Sequence, residues 1–110
     1  MLDAMRNILS LIALLIAGLH PMNALSAKGT VVYYKSGCDY YIVETNMGFV
    51  LLEWYGGNDP SEGDILVGDY ESYGMKDIYN LSADAETRVW VENFWLSRNQ
   101  VIEDYFDQCN

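Results

Sequence analysis

Between Thr30 and Phe94 the apolar residues of this chain recur mostly at a two-residue period, in short segments separated by dense turn signals. That rhythm limits the fold more than any other feature, because strand side chains alternate between two faces and such a pattern builds sheets rather than helices. Residues 30–35 (TVVYYK) are β-branched or aromatic and stop at Ser36-Gly37. Residues 40–45 (YYIVET) and 49–55 (FVLLEWY) are joined by Asn46-Met47-Gly48, with glycine where a short hairpin loop needs positive φ. This predicts an antiparallel pair. Gly56-Gly57-Asn58-Asp59-Pro60 and Gly63-Asp64 bracket the next loop, and strands are predicted at 65–69, 76–81 (KDIYNL) and 88–94 (RVWVENF), with a turn at Ser72-Tyr73-Gly74. Five or six short strands with a turn about every 8 to 12 residues predict a mainly β fold, a small antiparallel barrel or sandwich.

The pattern changes at Ser97, a predicted N-cap. Val101, Ile102, Tyr105, Phe106 and Cys109 then recur at helical offsets, with Glu103, Asp104 and Asp107 on the other side. A helix of about 12 residues is marginal alone, so its apolar stripe must dock on the strands. Cys109 lies on that stripe. The other cysteine, Cys38, falls between the first two strands, and a disulfide between them would clamp the helix as a lid on one end of the barrel.

Whether they pair depends on the compartment. Met1 to Asn7 carries one cation, Arg6; Ile8 to Leu19 is apolar or small throughout; His20 and Pro21 break the run; and Ala24, Leu25, Ser26 and Ala27 follow. This is the layout of a Sec-type signal peptide over 1–27, cut after Ser26 or Ala27, ahead of a single domain over 28–110. About 12 apolar residues are too few to span a bilayer that needs ~20, so no membrane anchor is expected after cleavage. Export to a periplasm, or secretion, predicts that Cys38 and Cys109 are oxidised. A mature chain of roughly 85 residues has a marginal core. Closing a loop of about 70 residues could stabilise it by up to ~4 kcal/mol.

Loss of the leader removes Asp3, Arg6 and His20, so the 16 acids become 15, the 6 bases become 5 and the net charge stays at −10. Phosphate would be repelled, which excludes nucleic acid as a partner and disfavours anionic membranes. With His20 gone and both cysteines paired, the exported chain has neither imidazole nor thiol for nucleophilic catalysis, and no histidine metal site. Phosphate-binding glycine loops are missing from the sequence. Carboxylate chemistry survives this filter through Glu53, Asp64 and Asp69, but nothing marks two of them as an acid–base pair. The run from Asn58 to Asp64 offers oxygen ligands without the alternating acids of an EF-hand, and reads as a turn. No metal, cofactor or enzymatic activity is expected. Asn80-Leu81-Ser82 is formally a glycosylation sequon.

The positive feature is aromatic load: 3 Trp, 9 Tyr and 3 Phe. If Val89 and Val91 point inward, Trp90 points out, and an exposed Trp among Tyr side chains is a surface for gripping a protein or stacking on a glycan. Trp90 is the leading contact candidate, with Tyr55, Tyr73 and Trp95 as further members. The expected function is that of an exported, non-catalytic binding or accessory module. A small carboxylate hydrolase, or a structural subunit of an envelope assembly, are the alternatives.

A first strand, a long bent hairpin, the Gly63-Asp64 turn and the later strands together resemble OB-fold or SH3-like barrels over residues 28–92. The resemblance implies a small closed antiparallel barrel. The helix of that family lies between middle strands, whereas here it is C-terminal. The basic groove for nucleic acid cannot be built from Lys28, Lys35, Lys76, Arg88 and Arg98 amid so many acids.

Overall fold

The computed structural model describes residues 26–109. Apart from Ser26 and Ala27, the segment expected to be a leader lies outside these residues.

Six strands form: β1 (Ala27–Tyr33), β2 (Tyr40–Thr45), β3 (Gly48–Gly57), β4 (Ile65–Gly68), β5 (Gly74–Asn80) and β6 (Ala85–Leu96). They close into an antiparallel barrel in the order β1-β2-β3-β6-β5-β4. Two three-stranded meanders are thus joined at two seams, β3 with β6 and β1 with β4. What the OB- or SH3-like rhythm implied, a small closed barrel, is what forms. The predicted hairpin of β2 and β3 is in register from Tyr40↔Glu53 to Thr45↔Gly48, and Gly48 has φ +128°. β1 begins three residues earlier than expected, because its first half pairs with β4, from Ala27↔Gly68 to Thr30↔Ile65. Gly29 sits where the barrel turns its corner. A Cβ there would lie 2.6 Å from the Glu44 carbonyl oxygen, so only glycine lets the two strands approach.

Alternation fills the barrel as the sequence predicts. Val31, Tyr41, Val43, Val50, Leu52, Leu66, Ile78, Val89 and Val91 form the inner core, with Ala27 and Tyr70. The loop over residues 58–64 carries the chain across one barrel end, from Asn58 N–H on the Glu86 carbonyl to Gly63 N–H on the Val31 carbonyl, at 2.9 and 2.8 Å. Trp54 closes that end beneath the loop, its indole donating to the Asn58 carbonyl at 3.0 Å.

Ser97 caps the helix α1 (Arg98–Gln108) in a full capping box. Its hydroxyl accepts from Gln100 N–H, and the Gln100 side chain accepts from Ser97 N–H, both at 3.2 Å. The expected lid over a barrel end needs correction, since α1 lies on the outer wall of β2 and β3. Val101 and Tyr105 bury against Ile42, Leu51 and Leu96, with Tyr33 and Phe49 at the margin. The cause is local: Tyr41, Ile42 and Val43 are all buried, so β2 has two apolar faces, and the outer one, with Leu51 opposite Ile42, needs a cover. The disulfide Cys38–Cys109, with Cα atoms 5.9 Å apart, ties the C-cap of α1 to the β1–β2 loop.

Burial also sets the state of the tyrosines. Desolvation raises the phenol pKa of Tyr34, Tyr41 and Tyr70 far above the usual value. Tyr40 is pushed up to about 12, by desolvation first and then by its hydrogen bond to Glu53.

Two outcomes are expected. Cys38→Ser/Cys109→Ser should lose about 2–4 kcal/mol of unfolding free energy in urea, with a drop in helical circular dichroism; an unchanged midpoint would mean that apolar contact alone seats α1. The raised phenols favour the neutral form in the fold, so their contribution is whole below pH ~10 and is lost as the pH climbs above it. The urea midpoint should therefore hold between pH 7 and 9 and fall by pH 11.

Candidate functional site

Three bulges interrupt the β3–β6 seam, and two exposed aromatic residues, Tyr55 and Trp95, lie at them. Between Phe49↔Leu96 and Leu51↔Asn93, β6 carries one residue more than β3; between Leu51↔Asn93 and Leu52↔Val91 it carries another. Between Trp54↔Val89 and Gly56↔Arg88 the extra residue belongs to β3 and is Tyr55. A bulge re-aims side chains without breaking the sheet. Here it lets Phe94 turn toward the inner core while Leu96, two residues on, packs under α1.

Trp95, between them, is held in the left-handed region at φ +56° with 57% of its surface exposed. For a bulky side chain this backbone costs about 1–2 kcal/mol. Asp84, at φ +51° in the β5–β6 turn, is a residue type that tolerates the same conformation. Strain kept at an exposed Trp is not explained by core packing, and such strain concentrates at functional positions.

Around Trp95 the rings form a connected face. Phe94 meets Trp95 edge-on at 5.2 Å between centroids, and Tyr73 meets Phe94 at 4.8 Å with planes tilted by 57°. The Tyr73 ring, 65% exposed, is fixed by a hydrogen bond from its hydroxyl to Asn93 Oδ1 at 3.2 Å. Two residues along the chain, exposed Met75 stands opposite Trp90 on β6. With Val89 and Val91 fully buried, Trp90 does point outward, and its indole donates to Glu92 Oε2 at 3.3 Å. Tyr73, Met75, Trp90 and Trp95, with half-buried Phe94, thus make one apolar face along β5 and β6. Three of the four sequence candidates belong to it. Tyr55 does not: its bulge places it beside Arg88, Asp77 and Glu86, toward the other barrel end.

The remaining candidates have other duties. Asp64 and Asp69 flank β4 and are separated by roughly 16 Å of extended chain. Glu53 is on β3, which pairs with β2 and β6 rather than with β4. Asp64 Oδ2 accepts from Ser61 N–H at 3.0 Å and from Asn80 Nδ2 at 2.8 Å, while Asp69 pairs with Lys76 at 3.3 Å. In the 58–64 loop, Asp59 accepts from the Tyr34 hydroxyl at 2.7 Å. Glu62 accepts from Tyr34 N–H, which holds its carboxyl below the usual range. These oxygens build the loop. Asn80 of the sequon is fully buried, its amide donating to Asn58 and Asp64 and its oxygen accepting from Ala83 N–H, so in the fold it offers no acceptor for a sugar.

Sequence reasoning missed a groove of about 340 Å³ between α1 and the outer wall, lined by Val32, Ile42, Phe49, Ile102 and Phe106, with Arg98 over the Phe49 ring. Ile102 and Phe106, assigned to the docking stripe, are exposed at its edge. The unbroken apolar run of β2 was the signal that could have located it.

Comparison of the chain with protein-family models, with curated proteins and with solved structures yields no match.

If Trp95 is held outward for contact rather than for stability, Trp95→Asn should be neutral or up to ~1 kcal/mol more stable, because Asn accepts the left-handed backbone. A loss above about 2 kcal/mol in urea unfolding would assign the ring to the fold.

Proposed function

We propose that this protein is an exported, non-catalytic binding module whose contact surface is the aromatic face of β5 and β6, and that its partner is another exported protein. The observation that carries this reading is the strained, exposed Trp95 joined to Tyr73 and Phe94. A backbone conformation that costs free energy holds the ring in solvent, where a partner can bury it. Ring geometry favours a protein over a glycan. Planes inclined by 57° and 84° make a corrugated surface, with Met75 beside it, rather than the flat platform on which a sugar stacks.

The apolar leader and the paired cysteines support a periplasmic or secreted location. Of the two cleavage positions, the one after Ser26 fits better, because Ala27 is buried and opposite Gly68 in β1. Non-catalytic action fits the separation of Glu53, Asp64 and Asp69 and their engagement in the scaffold.

Crosslinking and capture from the exporting compartment tests the reading, with wild type, Trp95→Ala and Trp90→Ala in parallel and Tyr55→Ala as the off-face control. One protein recovered by wild type and by Tyr55→Ala, and lost in both Trp variants, is the expected result. Equal recovery by all four chains would remove the aromatic face as the contact.

A further inference from the structure

We infer that the partner presents a basic segment to this face: a lysine or arginine side chain seats in an acidic notch between β6 and α1, while its apolar neighbours rest on the rings of Tyr73, Phe94 and Trp95. This rests on the protein-binding reading above and names the chemistry of its partner.

The aromatic face does not end at Trp90 and Tyr73. Both are hydrogen-bonded to the walls of a notch of about 280 Å³ lined by Glu92, Asn93, Asp104, Asp107 and Gln108. Trp90 donates to Glu92, and Tyr73 to Asn93, so the notch adjoins the ring surface at both residues. Its three carboxylates have no base among the lining residues. The ion pairs formed elsewhere, Lys35–Glu62, Lys76–Asp69 and Arg88–Asp77, use other acids.

The acceptor capacity of the notch is also underused. Glu92 accepts from Gln108 Nε2 at 3.4 Å and Trp90 Nε1 at 3.3 Å, and Asp104 accepts from Asn93 Nδ2 at 3.4 Å, all at the long end of the range. Each carboxylate has about four lone-pair sites, so an ammonium or guanidinium can be accommodated with little rearrangement. The Trp90 ring beside Glu92 adds a cation–π surface. A metal ion is a poorer occupant, since no group of three or more carboxylates among the described residues is placed to hold one. At longer range the net charge of −10 draws a basic segment toward the molecule.

The probes are two capped pentapeptides, Leu-Lys-Phe-Lys-Leu and its uncharged counterpart Leu-Gln-Phe-Gln-Leu, titrated into the oxidised protein with backbone amide shifts followed by NMR. They are compared on wild type, on the notch variant Glu92→Gln/Asp104→Asn/Asp107→Asn, and on an equally neutralised control, Glu44→Gln/Asp84→Asn/Glu86→Gln. The lysine peptide should bind wild type and the control about tenfold more tightly than the glutamine peptide, with shifts centred on Trp90, Glu92 and Trp95, and the notch variant should lose that preference. Equal binding of both peptides at the rings would overturn the cationic partner while leaving the aromatic face intact. Equal weakening by the notch and control variants would reduce the effect to diffuse charge and overturn it too. Failure of the lysine peptide to bind wild type at this face also overturns it, and the capture experiment reports separately whether the rings are a contact.

Discussion

The paired strands β2 and β3 are buried on both sides, and the placement of nearly everything else follows from that. Inside, Tyr41, Val43, Val50 and Leu52 meet the barrel core; outside, Ile42 and Leu51 face a second, smaller cluster that only α1 can complete. An 11-residue helix with two buried side chains brings little binding free energy of its own. It is fixed at both ends instead, by the capping box at Ser97 directly after β6 and by the disulfide from Cys109 to Cys38. The bond stabilises chiefly by restricting the unfolded chain. Its position has a second consequence, since it stops the C-terminal end of α1 from leaving the apolar wall. In a chain with so small a core, folding leans on this one bond.

β6 carries the other half of the design. It runs through 12 residues, pairing with β5 on one side and β3 on the other, and it bends at two bulges. Each bulge exchanges the faces of the residues beyond it. Val89, Val91 and, past the first bulge, Phe94 face the inner core, Leu96 serves the helix cluster, and the residue displaced between the last two is Trp95. The strain at Trp95 and the exposure of its ring are two sides of the same local geometry. A β6 without bulges would still send Leu96 to the outer face but would turn Phe94 outward, away from the inner core.

Much of this was legible in the sequence. Two-residue alternation located the six strands and put Val89 and Val91 inside with Trp90 outside, and Asn46-Met47-Gly48 gave the hairpin because glycine alone is at ease at φ +128°. Ser97 marked the helix start because a hydroxyl there satisfies an otherwise unpaired N–H. The bulges were not legible, since one extra residue in a strand leaves composition and turn signals unchanged. That is why the grouping of Tyr73, Phe94 and Trp95, and the separation of Tyr55 from it, emerged only from the register. The seat of α1 was missed for a different reason: residues 40–45 were assigned to a strand without a face, although the consecutive apolar Tyr41, Ile42 and Val43 imply cover on both sides.

Closure of the barrel restricts how such a molecule can meet another. Each of the six strands has a neighbour on both sides, although β4 meets β5 only at Leu66↔Asn80 and Val67↔Tyr79, so the ring leaves little strand edge to which a partner could add. The interior is filled by Tyr41, Tyr70 and the branched aliphatic residues. Recognition falls chiefly to side chains on the outer surface, where exposed acids stand among exposed apolar residues. Single exposed hydrophobic residues on such a surface need no explanation, but Trp90, Met75, Tyr73 and Trp95 are contiguous and bordered by carboxylates without bases. A face of this composition resists self-association, because a second copy would bring the same negative charge to it, whereas a basic partner would relieve the repulsion on arrival. Under the proposed function, the acids around the rings are thus also the groups that would select what the rings touch.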